Sequence, residues 1–251
     1  MSLQDDGQTR LAELEQFATD GVLVLRGFFG AQEAGLMQAA WRELAPATGA
    51  AGLSRVRRFV FGSMPGPIAV IYRHPALVRL MTAMLGKDLA LYMNRLLLKD
   101  AVWADAVELH QDMPYLHGTQ RKISVFVPLL PALSRNGGLR YALGTHHHGL
   151  LQPGPIDRAV FPAFVELAPD LGVGDIVLVD SLTWHWSEAA EVREERPLLQ
   201  IMYQSASDGS YGGAAFGVAE PTLISGAWRT GTFSALRSEE KRVGSDPLGR
   251  G

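Results

Sequence analysis

The sequence contains no cysteine. That absence excludes disulfides, thiol nucleophiles, zinc–thiolate fingers and cysteine-held iron–sulfur clusters. Any metal must then be held by imidazole and oxygen, as in sites for Zn, Fe, Mn, Ni, Mg or Ca. Positive charge is also scarce: 23 Lys and Arg stand against 26 Asp and Glu, a formal charge of -3. No strongly basic surface for nucleic acid or anionic lipid is expected. No apolar run reaches the ~18 residues of a membrane span, and the polar, acidic segment Met1 to Thr9 lacks the pattern of a secretory signal. The expectation is a cytoplasmic protein with no nucleic-acid or membrane partner and an oligomeric state left open. At 251 residues and 47% hydrophobic content the chain has ample material for a core, and residues 1–251 read as a single domain.

Helical spacing dominates the first third. Leu11, Leu14, Phe17 and Ala18 recur on one helix face, and Met37, Ala40, Trp41 and Leu44 on another. A third helix is predicted from Pro75 through Val78, Met81 and Leu85, stopping at Gly86. Asp20-Gly21 punctuates before the apolar run Val22 to Leu25. From about residue 89 the pattern shifts to short alternating or apolar segments near 89–98, 106–112, 122–128, 138–142, 164–167, 175–180 and 197–203. Turn signals at Asn136-Gly137-Gly138 and Leu171 to Asp175 separate some of them. The pattern predicts an all-β core with flanking helices: a helical buttress at about 10–86, then an antiparallel sandwich or barrel at about 89–205. Residues 237–251 read as a frayed tail, and 209–217 as either a disordered connection or a lid.

Two segments carry candidate chemistry. In Val107 to Asp112, strand alternation places Glu108, His110 and Asp112 on one face. An imidazole and a carboxylate two residues apart can address one ion, although the pair alone reads sooner as a structural hydrogen bond. A second imidazole comes from Gly174 to Ser187, where an apolar strand is read as delivering His185 between Trp184 and Trp186. Two His and one Asp on a rigid β-scaffold form the facial triad that leaves iron(II) with open positions. Arg196, eleven residues on, suits a dicarboxylate because a guanidinium binds carboxylate bidentately. The more conspicuous His146-His147-His148 run is set aside, since three consecutive side chains cannot all face one metal on extended backbone. His146 is read as structural and its two neighbours as solvated. Asp175 and Asp180 flank an apolar strand, where turn capping accounts for them.

In order and spacing, "ELHQDMPY", "ISVFVPLLPALSRNGGLRYALGTHHHG", "VGDIVLVDSLTWHWS" and "REERPLLQIMYQ" resemble the phytanoyl-CoA dioxygenase family of Fe(II)/2-oxoglutarate-dependent oxygenases. "FATDGVLVLRGFF" resembles the family's opening, and the likeness runs over roughly residues 10 to 205. Leu143 departs from the family's usual Pro, and the Asn common after the distal His is absent. The resemblance implies a double-stranded β-helix (a cupin-like jelly roll) and iron(II) held by His110, Asp112 and His185. It implies 2-oxoglutarate on Arg196 and Ser187, dioxygen as third reactant, and succinate and CO2 as co-products. Gln111, Tyr115 and Phe126 match pocket positions in relatives. Met93, Arg95, Leu97 and Lys99 share one face of the preceding strand; of these, Arg95 and Lys99 are expected to meet co-substrate and Met93 substrate. Related halogenases carry Gly or Ala in place of the acid, so Asp112 implies oxygenation. The reading is oxidation, by default hydroxylation, of a small organic molecule. The alternatives are a cupin-like metalloenzyme without 2-oxoglutarate and a non-catalytic ligand-binding or sensor protein on the same barrel.

Overall fold

The computed structural model describes residues 3–44, 54–56, 59–61, 66–159, 163–208 and 222–228. The expectations for 209–217 and 237–251 lie outside the described residues. Chain order is α1 (Leu3–Asp20), β1 (Val22–Leu25), α2 (Ala31–Leu44), β2 (Ser54–Val56), β3 (Phe59–Phe61), α3 (Gly66–Val70) and α4 (Pro75–Leu85). The β region follows: β4 (Leu89–Lys99), β5 (Val107–His110), β6 (Ile123–Pro128), β7 (Arg140–Ala142), β8 (Glu166–Leu167), β9 (Ile176–Asp180), β10 (His185–Ser187), β11 (Arg196–Ser205) and β12 (Thr222–Ser225). The three predicted helices and seven predicted strands are present, while the short β2, β3, β10 and β12 were not anticipated.

A large sheet runs β1-β9-β6-β11-β4-β3-β2, with β12 also on β4, and a small sheet runs β5-β10-β7-β8. Both belong to the double-stranded β-helix class. Strand parity sorts the large sheet's residues into two environments. Leu96, Leu98, Ile123, Val125, Val127, Ile176, Leu178, Leu199 and Ile201 pack with Phe17, Met37, Trp41, Leu77 and Leu80 of the helices. The opposite face meets the small sheet, where Phe126, Val177, Val179 and Leu198 cluster with Tyr141. On that inner face lie buried polar side chains that the helical face lacks: Arg95, Lys99, Ser124, Arg196 and Gln200. A sheet tolerates so many only where they hydrogen-bond or serve a site.

Helix α4 starts on Pro75 and ends at Gly86, whose φ of 93° favours glycine. The helical stretch Gly66–Leu85 is long and apolar enough, by length and composition, to cross a membrane. It breaks at His74-Pro75, and Ile68, Ile71, Leu77, Leu80 and Met81 sit in the core.

His146 closes the end of α1. Its ring is 8% exposed and its Nε2 donates to the Ala18 carbonyl at 3.1 Å. Burial lowers its pKa, against the pull of the Ala18 carbonyl and Asp180. The unfolded chain therefore takes up a proton, near pH ~6.5, that the folded chain resists. This contribution to stability is present above ~6.5 and is lost as pH falls toward the folded value. Urea titrations at pH about 7.5 and 5.5 are expected to show a smaller acid-induced drop for His146→Gln than for wild type.

Candidate active site

Asp112 lies just past β5, where the chain turns from extended to helical (φ −76°, ψ −41°) into the 3-10 turn Met113–Tyr115. The strand is thus shorter than the predicted 106–112. His185 is opposite His110 in the β5–β10 register. The predicted delivery of His185 by the apolar strand needs correcting. That strand, β9, ends at Asp180, whose Oδ1 accepts from Leu182 N at 2.9 Å. The chain then crosses to the small sheet and His185 opens β10. Asp180 also accepts from Arg121 at 3.1 Å.

The three side chains converge. Asp112 Oδ1 is 3.8 Å from His110 Nε2 and 3.7 Å from His185 Nε2, and one ligand atom from each residue lies within 4.8 Å of the others. His110 Nδ1 donates to the Glu108 carbonyl at 2.7 Å, and His185 Nδ1 to the Thr183 carbonyl at 2.9 Å. A carbonyl can only accept, so each Nδ1 carries a proton, which leaves Nε2 as the nitrogen that can ligate a metal in the shared space. Burial pushes the Asp112 carboxyl up, but His185, His110, Arg95 and the Gln200 hydrogen bond outweigh it, and its pKa is lowered. The donor set of two neutral imidazoles and one carboxylate fits iron(II).

A second group of polar atoms lies beside the triad. Arg196 is 3% exposed and stands opposite Lys99 in the β4–β11 register. Lys99 Nζ donates to the carbonyl of Glu188 at 2.5 Å, next to Ser187. Ser187 Oγ and Tyr141 Oη are buried without a hydrogen-bond partner among the described residues. Burial drives the Tyr141 hydroxyl pKa up, and both Arg196 and Asp112 act on it electrostatically, which sets Tyr141 near both. Two unsatisfied buried hydroxyls beside a buried guanidinium suit a carboxylate-bearing guest such as 2-oxoglutarate.

A cavity of about 630 Å³ opens on His110 and Asp112 of the triad, lined also by Met93, Arg95, Tyr115, Asp105, Glu108 and Leu116. His185, Ser187 and Arg196 lie outside this lining, as do Gln111, Phe126 and Lys99. Gln111 points off this face: its Nε2 donates to the carbonyls of Gly149 (2.7 Å) and Leu182 (2.8 Å), and its Oε1 accepts from Leu151 N (2.9 Å). It is a buried strut between loops because strand alternation turns it away from His110. Phe126 is 1% exposed in the cluster with Tyr141 and Leu198, and Lys99 sits at the Arg196 end. Of the histidine run, His147 and His148 are exposed, and His148 stacks on Trp184 at 5.1 Å.

Sequence reasoning passed over Tyr141 and Gln200. Gln200 has the parity of Arg196 in an apolar strand, a signal that could have found it. Tyr141 stands opposite His185 in the β7–β10 register, a pairing no local pattern announces.

The fold and the site define the class: iron(II)- and 2-oxoglutarate-dependent non-haem oxygenases. The family model for phytanoyl-CoA dioxygenase (PhyH) matches residues 17–194, and the chain belongs to that family. Among solved structures, the chain is similar to the epimerase SnoN in complex with Fe3+, alpha ketoglutarate and nogalamycin RO. That match has TM-score 0.70 and 17% identity, covering 89% of this chain and 98% of that one. It is similar to EctD from S. alaskensis with 2-oxoglutarate and 5-hydroxyectoine at TM-score 0.72 and 20% identity, covering 90% and 87%. The non-heme monooxygenase ThoJ matches at TM-score 0.63 and 22% identity, covering 92% and 97%. No curated protein matches the chain in sequence.

Proposed function

We propose that the protein hydroxylates a small organic molecule, with His110, Asp112 and His185 holding iron(II). The observation that carries this reading is the convergence of two tautomer-fixed Nε2 atoms on one oxygen of Asp112. Arg196, Ser187 and Tyr141 would hold the distal carboxylate of 2-oxoglutarate, with Lys99 fixing the Glu188 backbone beside Ser187. Iron(II) bound with 2-oxoglutarate and dioxygen supplies the oxidant for C–H cleavage, releasing succinate and CO2. The chain's own part is to orient the ligands, bury the co-substrate carboxylate away from water, and present substrate in the cavity. Met93 and Tyr115 line that cavity, and the Tyr115 hydroxyl accepts from Gly154 N at 2.7 Å. Asp112 would supply a carboxylate ligand where related halogenases carry Gly or Ala, which favours oxygenation over halogenation. We place this chemistry in the cytoplasm.

The test is an anaerobic titration with Fe(II) and 2-oxoglutarate, read by the metal-to-ligand charge-transfer band. Wild type is expected to show the band. Its absence, with iron still bound, would favour a cupin-like enzyme without 2-oxoglutarate, and bound iron and 2-oxoglutarate without oxygen consumption across a substrate panel would favour a binding protein. Arg196→Met is expected to weaken 2-oxoglutarate binding about 30-fold or more, the ~2 kcal/mol or more for losing one partner of a buried charge pair. Iron affinity without co-substrate should change little.

A further inference from the structure

Two hydrogen bonds link Arg95 in the cavity wall to Asp112 through Gln200, a residue outside the triad, and a third ties Gln200 to Ser124. Arg95 Nε donates to Gln200 Oε1 at 2.8 Å. Gln200 Nε2 donates to Asp112 Oδ2 at 3.2 Å and to Ser124 Oγ at 3.1 Å. Arg95, Ser124 and Gln200 are all buried, and strand register sets Gln200 opposite Arg95 on β4 and Phe126 on β6.

The direction of the amide follows from donor chemistry. A guanidinium N–H has no acceptor capacity, so the Gln200 atom facing it must be the oxygen. That leaves both amide hydrogens for Asp112 and Ser124. One carboxylate oxygen is thereby occupied by a donor, and the other, Oδ1, is the one both imidazole Nε2 atoms approach. Without the Arg95 contact the amide could rotate and set its oxygen against the carboxylate, which repels.

We infer that Gln200 and Arg95 are positioning residues: Arg95 fixes the Gln200 amide, and Gln200 fixes which oxygen of Asp112 is presented to the metal. This rests on the assignment of His110, Asp112 and His185 as metal ligands. Hydrogen-bond partners of metal ligands of this kind tune affinity by about 10–100-fold. Arg95 offers an unusually sharp discrimination. Removing a cation from beside a divalent-metal site would by electrostatics alone tighten metal binding. Removing a positioning group weakens it.

The experiment titrates the metal-free protein with Co(II), following the visible d–d bands, in wild type, Gln200→Met, Arg95→Met and the double variant. Gln200→Met is expected to weaken Co(II) about 10–100-fold and to alter the d–d envelope. Arg95→Met should weaken it by a smaller factor, and the double variant should be no weaker than Gln200→Met, because both act through one contact. Ser124→Ala, which leaves the Asp112 contact in place, should bind within about threefold of wild type, the reach of a neutral hydrogen bond. Thermal unfolding of each metal-free variant checks the fold, with Gln200→Leu as the substitute if Gln200→Met does not fold. Unchanged affinity in Gln200→Met, tighter or unchanged binding in Arg95→Met, or additive losses in the double variant would overturn the inference while wild-type binding leaves the ligand assignment standing. Failure of wild type to bind Co(II) would overturn the ligand assignment and this inference with it.

Discussion

Asp112→Ala is expected to abolish 2-oxoglutarate turnover and to weaken divalent-metal binding about 100–1,000-fold, one ligand's share of the ~10–16 kcal/mol that a full set can supply. The expectation follows from where the atoms are. Asp112 Oδ1 is 3.8 Å from His110 Nε2 and 3.7 Å from His185 Nε2, so removing it leaves two neutral imidazoles and no anion at the point of convergence. The fold should survive. Asp112 Oδ2 accepts from the Gln200 amide, and that amide keeps Ser124 as a partner. The measurements are succinate release under air and metal titration without oxygen. Wild-type succinate formation by Asp112→Ala would contradict the ligand assignment.

The second large effect concerns stability. Lys122 Nζ lies 2.7 Å from Asp208 Oδ2, with side-chain exposures of 0% and 3%. The ammonium also sits 4.9 Å from the Tyr92 ring centroid, and Asp208 Oδ1 accepts from Thr119 N at 3.2 Å. Burial lowers the Lys122 pKa, and Asp208 pulls it back toward the charged form. Lys122→Met strands a buried carboxylate, and breaking such a pair costs about 3–5 kcal/mol. Urea unfolding should show that loss. Lys122→Met combined with Asp208→Asn should recover more than half of it, since the amide still accepts from Thr119 N and no charge is left buried. The pair also bears on the cavity. Tyr92 Oη accepts from His117 N at 3.0 Å, one residue past Leu116 in the cavity wall.

How much of this was legible in the sequence depends on the range of the interactions. Strand parity in β4 set Met93, Arg95, Leu97 and Lys99 on one face, and all four now stand opposite Met202, Gln200, Leu198 and Arg196. Helix α4 was bounded by Pro75 and Gly86, residues whose backbone preferences act locally. Strands β2, β3 and β12, of three or four residues, were missed because so few residues carry no measurable period; their pairing partners stabilise them. Strand β10 was read as the end of β9 because nothing local shows that the chain changes sheets between Asp180 and His185. Gln111 was matched to the pocket from its neighbours in the motif, yet alternation sends its amide to Gly149, Leu182 and Leu151.

The absence of cysteine and the seven histidines determined by themselves that a metal here would be held by nitrogen and oxygen. The resemblance to the phytanoyl-CoA dioxygenase family then implied His110, Asp112 and His185 as the ligands. Only the tertiary structure decided that the two rings meet, that each presents Nε2, and that Gln200, itself bonded to Arg95 and Ser124, donates to the carboxylate. The physical reason is that residue type and period are properties of a few consecutive positions. Tautomer, hydrogen-bond direction and convergence on one oxygen depend on backbone carbonyls and facing strands that lie far apart in the chain.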